Sequence, residues 1–150
     1  MKKLIIKNGT VFLVPVAPKG FAVGVVIRAD GRGRAIGAFF GPRVNGTSDA
    51  NPSELRLETA LLVCRFGDHG LYTHRWPVIA SIPNWSAAQW SVSKFSRRHD
   101  NPDLCYVTEY DDSLNAISER VLPAAEGKKL PDDAQYGSGV VETKLAKLLP

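Results

Sequence analysis

The sequence predicts an α+β fold that is mostly β: an antiparallel twisted sheet or partly open barrel, with one short internal helix and a C-terminal amphipathic helix. Three observations predict it. Apolar, β-branched runs of six to nine residues recur along the first half of the chain. Asp30-Gly31 stands between two of them, a hairpin signal in which glycine supplies the positive φ of the turn. Near the end, Val141, Leu145, Leu148 and Leu149 recur at helical steps and leave Glu142, Thr143, Lys144 and Lys147 largely on the other side.

In chain order, Thr10 to Val16 reads as a strand, with Pro15 pushing it toward an edge or a bulge. Phe21–Ala29 and Ala35–Phe40 follow on either side of Asp30-Gly31-Arg32-Gly33, giving a three-stranded antiparallel meander. Gly41 to Ala50 is a polar loop. Asn51 is a candidate cap before Pro52 and Glu54, the marks of a short helix start. Ala60–Phe66 is a buried strand ending at Gly67. Leu71-Tyr72 and Trp76-Pro77-Val78-Ile79 suggest further strand-like pieces around the Gly67–Gly70 turn.

Asn84 to Asp100 is irregular. Trp85, Trp90 and Phe95 are spaced five residues apart, which fits neither sheet nor helix, so they read as anchors holding a loop to the core. Leu104–Tyr110 is another strand, closed by Asp111-Asp112-Ser113, and residues 122–139 are loop. The closing helix spans Val140 to Leu149 and is too short to hold without tertiary packing.

A chain of 150 residues with 44% hydrophobic and 23% charged residues forms one domain over residues 1–150 and is not disordered. No stretch approaches the roughly 18 apolar residues of a membrane span. Met1 to Lys7 has the positive flank of a signal peptide but no apolar stretch long enough to follow it, so a cytoplasmic location is expected, away from any membrane. Cys64 and Cys105 lie inside apolar runs and read as buried thiols. The net charge of +4 is uneven: +6 over residues 1–50 and −4 over residues 101–150. That split suits either a bipolar surface steering a charged partner or solvated faces that meet and partly cancel.

No catalytic constellation emerges. A hydrolase or metal site would have to use Asp68, His69 and His74, whose spacing matches no standard ligand set, and His99 stands apart from them. Arg65 beside Cys64 faces the other side of the strand and cannot easily serve to activate its thiol. Gly31-Arg32-Gly33 and Gly137-Ser138-Gly139 lack the features of a phosphate loop. No cofactor, metal or small-molecule substrate is expected. A β-barrel-like nucleic-acid binder is the alternative. Arg97-Arg98 follow Trp85, Trp90 and Phe95, and single-strand binders stack bases on rings while arginines neutralise phosphates. The acidic last third opposes that alternative.

Four ordered segments resemble the immunity protein 26 family of bacterial polymorphic-toxin and contact-dependent inhibition systems. They are Gly9 to Val16 with Phe21 to Val26; Arg65 to Leu71 leading into Arg75 to Ile79; Pro83, Trp90 and Phe95; and Leu130 to Asp133 with Gly137 to Glu142. The resemblance spans about residues 9–149. It implies a β-rich, non-catalytic protein that binds the C-terminal domain of a cognate secreted toxin. On that reading Gly9, Gly24, Gly67, Trp76, Pro77, Trp90, Phe95, Gly137 and Gly139 build the scaffold. The residues expected to contact the partner are Arg43, Trp85, Arg97, Arg98, Glu109, Asp111, Asp112, Asp132 and Asp133, since tight recognition uses aromatic and arginine anchors with complementary charge.

Overall fold

The computed structural model describes residues 6–150, so the charged start at Met1 to Ile5 lies outside the described residues. Two sheets form the core. The larger has six strands in the order β5 (Val78–Ser81), β1 (Thr10–Pro15), β2 (Phe21–Ala29), β3 (Arg34–Val44), β4 (Leu62–Gly67) and β9 (Gln135–Tyr136). All neighbours are antiparallel except β4 and β9. The smaller is an antiparallel sheet of β6 (Lys94–Arg98), β7 (Leu104–Tyr110) and β8 (Ala116–Pro123). The arrangement is two sheets, not a closed barrel.

The large sheet is covered on both faces, which explains its uninterrupted apolar runs. Along β3, Ala35 and Phe39 point to one face while Ile36, Ala38 and Phe40 point to the other. The first face packs against Leu71 of α1 (His69–Tyr72), Trp76 beyond it, Val141 and Leu145 of α3 (Ser138–Leu148), and Leu149 just after that helix. The second packs against Trp90, Phe95 and Leu114, bringing the small sheet and the segment before it onto the large one.

The first core is a knot of rings. Trp76 is fully buried and stacks on Phe12 with centroids 5.6 Å apart and planes 4° from parallel, and Phe39 and Phe66 close around them. Glycines make the room. A Cβ on Gly24 would stand 2.4 Å from the Phe12 ring, one on Gly37 2.6 Å from Phe66, and one on Gly70 2.7 Å from Trp76.

The strand at Leu104–Tyr110 and the terminal helix are found where the sequence places them, and the meander is present, but β3 runs on to Val44 and a 3-10 turn spans Thr47–Asp49 in the stretch expected as a loop from Gly41 to Ala50. Several expectations need correction. β1 is an interior strand, since β5 pairs it from Thr10 to Phe12; Pro15 is tolerated because it is the last residue, beyond that pairing. Leu71-Tyr72 is part of α1, not a strand, as its amides close helical hydrogen bonds to Asp68. The internal helix is two 3-10 turns, Pro52–Glu54 and Leu57–Thr59, and the Asn51 side chain makes no capping bond. Phe95 belongs to strand β6 rather than to a loop. The segment 122–139 contains the end of β8, α2 (Ala124–Gly127) and β9. On α3, Leu148 is 48% exposed, and Val141 and Leu145, with Leu149 just past the helix end, carry the contact.

Candidate functional site: the open face of the small sheet

The small sheet brings together most of the residues expected to meet a partner. Arg97 and Arg98 lie on β6, Glu109 on β7, and Asp111 and Asp112 in the β7–β8 turn; Asp132 and Asp133 run alongside β6. Arg43 and Trp85 lie elsewhere.

Register divides the sheet into two faces. Thr108 pairs with Phe95 on one side and Glu119 on the other, and Tyr106 with Arg97 and Val121, so alternation sets all of these on one face. Near Phe95 and Tyr110 this face is clamped to the large sheet; these rings meet edge to face, 5.6 Å apart. Farther along, it is open. The Arg97 guanidinium lies 4.1 Å from the Tyr106 ring centroid and pairs with Glu119, and the His99 ring leans on Tyr106 at 4.7 Å. Val121 is 50% exposed, and Ile117, at a bulge in β8, is 60% exposed. Arg98, which alternation sets on the opposite face, makes no ion pair among the described residues.

The opposite face is covered around Ser96, Cys105 and Val107, whereas Arg98, Ser118 and Arg120 on it are exposed. The α2 helix sits so near that a Cβ on Gly127 would stand 2.7 Å from the Cys105 sulfur, and the Ser96 hydroxyl donates to the Gly127 carbonyl at 2.9 Å. The two edges differ as well. Along β6, the Ser96 N–H donates to the Pro131 carbonyl and the Asp133 N–H donates to the Ser96 carbonyl. Among the described residues, β8 pairs with β7 alone, which leaves one of its sides without a strand.

Several expected contact residues have structural work. Asp133 is not on an open face: its side chain is 7% exposed, bridges Arg65 of β4 at 2.8 Å and accepts the Tyr110 hydroxyl at 2.6 Å. This ties the two sheets, with the Arg65 guanidinium 4.7 Å from the Tyr110 ring centroid. Burial, and then the bond to Asp133, push the Tyr110 pKa up to about 12. Arg43 gives its guanidinium N–H groups to the carbonyls of Val16, Ala17, Lys19 and Pro150, pinning the β1–β2 turn to the C-terminus. Asp111 accepts the amides of Ser113 and Asn115 and shapes the β7–β8 turn, whereas Asp112 is open apart from a 3.2 Å pair with Arg28. Glu109 is half-buried and Asp132 exposed.

The rings invoked for nucleic-acid stacking are occupied. Trp85 stacks on Trp90 at 5.5 Å and covers Gly9, Trp90 meets Phe40 edge to face, and Phe95 is fully buried. Sequence alone does not single out Tyr106, a half-buried ring carrying Arg97 and His99, because its surroundings are made only by the pairing of β6, β7 and β8. Of the remaining scaffold residues, Pro77 accepts the Leu13 amide through its carbonyl. Gly137 and Gly139 have open space where a Cβ would stand, so no packing requires glycine there.

His69 and His74 are exposed, and among the described residues no three His, Cys, Asp or Glu side chains group to hold a metal ion. Both cysteines are free and buried; burial pushes the Cys64 thiol up to about 12.

No curated protein and no solved structure matches the chain. A family model, Immunity protein 26, matches residues 7–101, a stretch running from the start of β1 through β6. This is shorter than the 9–149 expected, and the segment from Leu130 to Glu142 lies outside it. With well over half of its residues matched, the chain belongs to the immunity protein 26 family.

Proposed function

We propose that this chain is an immunity protein that neutralises the C-terminal domain of a cognate secreted toxin by binding it in the cytoplasm, without catalysis, through the open face of the small sheet. The family match carries the reading. The face supports it: an arginine on an aromatic ring, flanked by exposed Ile117 and Val121, is the mixture of anchor and apolar area that protein interfaces favour. Charges border it, from Asp132 beside β6 to Asp112 at the β7–β8 turn, and these would steer and orient a partner. The large sheet supplies the rigid support that such a face needs, because binding then costs little ordering entropy.

The experiment is co-expression with the toxin domain encoded beside this gene. Growth of the co-expressing cells, with both proteins recovered as one complex, is the expected outcome. Continued cell death while this protein accumulates in soluble form would overturn the reading.

A further inference from the structure

We infer that the toxin is held by strand addition: an extended segment of it pairs antiparallel with the free side of β8 and continues the small sheet. The inference rests on the toxin-binding reading and specifies its geometry.

The eight residues of β8 have one hydrogen-bonding side facing β7 and the other unpaired among the described residues. Exposed strand edges recruit strands unless something blocks them. Here the edge of β6 is taken by residues 131–133, and the large sheet's edges β9 and β5 are two and four residues long, while β8 is longer and bare among the described residues. The charges on β8 choose among occupants. A second copy pairing about a two-fold axis must set some residue opposite itself. Centring on Glu119 or Arg120 sets like charges face to face, which is destabilising. Centring on Ser118 sets Ile117 against Glu119, and centring on Val121 sets Glu119 against Pro123, which has no amide to give.

A foreign strand meets none of these conflicts. Facing residues 117 to 121 in turn, it would carry an apolar, a polar, a basic, an acidic and an apolar residue. The apolar pair would cover Ile117 and Val121, the base would meet Glu119, and the acid would meet Arg120. Arg97 already approaches Glu119 from the β7 side, which fixes that carboxylate with its other side open to the newcomer.

The test is amide hydrogen exchange by NMR on the full chain, free and bound to the toxin domain encoded beside its gene, together with affinity of two variants. Alternate amides of β8 are expected to be unprotected in the free protein and to gain protection in the complex. Arg120→Glu should weaken binding about tenfold or more, because a like charge then faces the partner's acid. Leu148→Lys, on α3, should leave affinity unchanged. A complex that forms with no gain of protection along β8, or that tolerates Arg120→Glu, overturns strand addition while toxin binding stands. A protein that forms no complex at all overturns both.

Discussion

The indole N–H of Trp76 donates to the carboxylate of Glu142 at 2.9 Å, joining the buried centre of the ring cluster to the middle of α3. Arg75 grips the same carboxylate through Nε at 2.7 Å and Nη2 at 2.6 Å. The helix is thus docked by a charged bond at its rim and by Val141 and Leu145 beneath. Trp76→Ala should cost about 3–5 kcal/mol, by loss of the ring and the cavity left behind. Glu142→Ala, which leaves the buried indole N–H without an acceptor, should cost about 1–3 kcal/mol. Urea unfolding with an unchanged slope checks both.

Acid should destabilise the fold in a defined window. Hydrogen bonds from Arg75, against the opposing effect of burial and with help from Trp76, hold the Glu142 carboxyl below its ordinary value of 4.5. Burial alone would raise Asp30, but the Arg32 amide and the Arg34 guanidinium and amide hold it below 3.8. A depressed folded pKa gives stability that is fully present above the unfolded value and lost as pH falls through the folded one. Melting temperature should therefore drop below about pH 4.5, and Glu142→Gln should flatten that drop.

Asp68 has the opposite sign. Burial, and then the nearby Asp30 charge, raise its pKa, so its ionised form opposes folding at neutral pH. Asp68→Asn should raise the melting temperature at pH 7 and do so progressively less as the pH falls through the carboxyl range. Equal gains at both ends of that range would contradict this assignment.

The buried bridge between the sheets should be costly to break. Asp133→Ala strands the Arg65 guanidinium, whose Nε already lacks a hydrogen-bond partner, and should cost about 3–5 kcal/mol. Tyr110→Phe removes only the hydroxyl and should cost about 1 kcal/mol. Comparable losses from the two substitutions would show that the ion pair is not the dominant tie.

Gly24 tests the ring cluster from below. Gly24→Ala forces a methyl onto Phe12 and should cost about 1–3 kcal/mol through overpacking. Gly139→Ala, where a methyl meets open space, should be neutral or slightly stabilising, since alanine favours the helix. Thermal melts of the two variants separate glycines required by packing from those that are not.

Local chemistry determined much of this protein from sequence alone. Apolar, β-branched runs and the Asp30-Gly31 turn specify the meander, helical spacing specifies α3, and apolar context buries Cys64 and Cys105, because each depends on neighbours within a few residues. The order of glycines and rings also pointed to the family. Tertiary structure alone decided the rest. Nothing near Asp133 in the chain reveals that Arg65, 68 residues away, will bury it, and nothing near Arg43 reveals the carbonyls of Val16 and Pro150. The strand at Ala116–Pro123 lacks a buried, alternating pattern because it is an edge with nearly every residue exposed. An edge strand is held by its neighbour's backbone, not by its own side chains, so the surface proposed to meet the toxin left the faintest trace in the sequence.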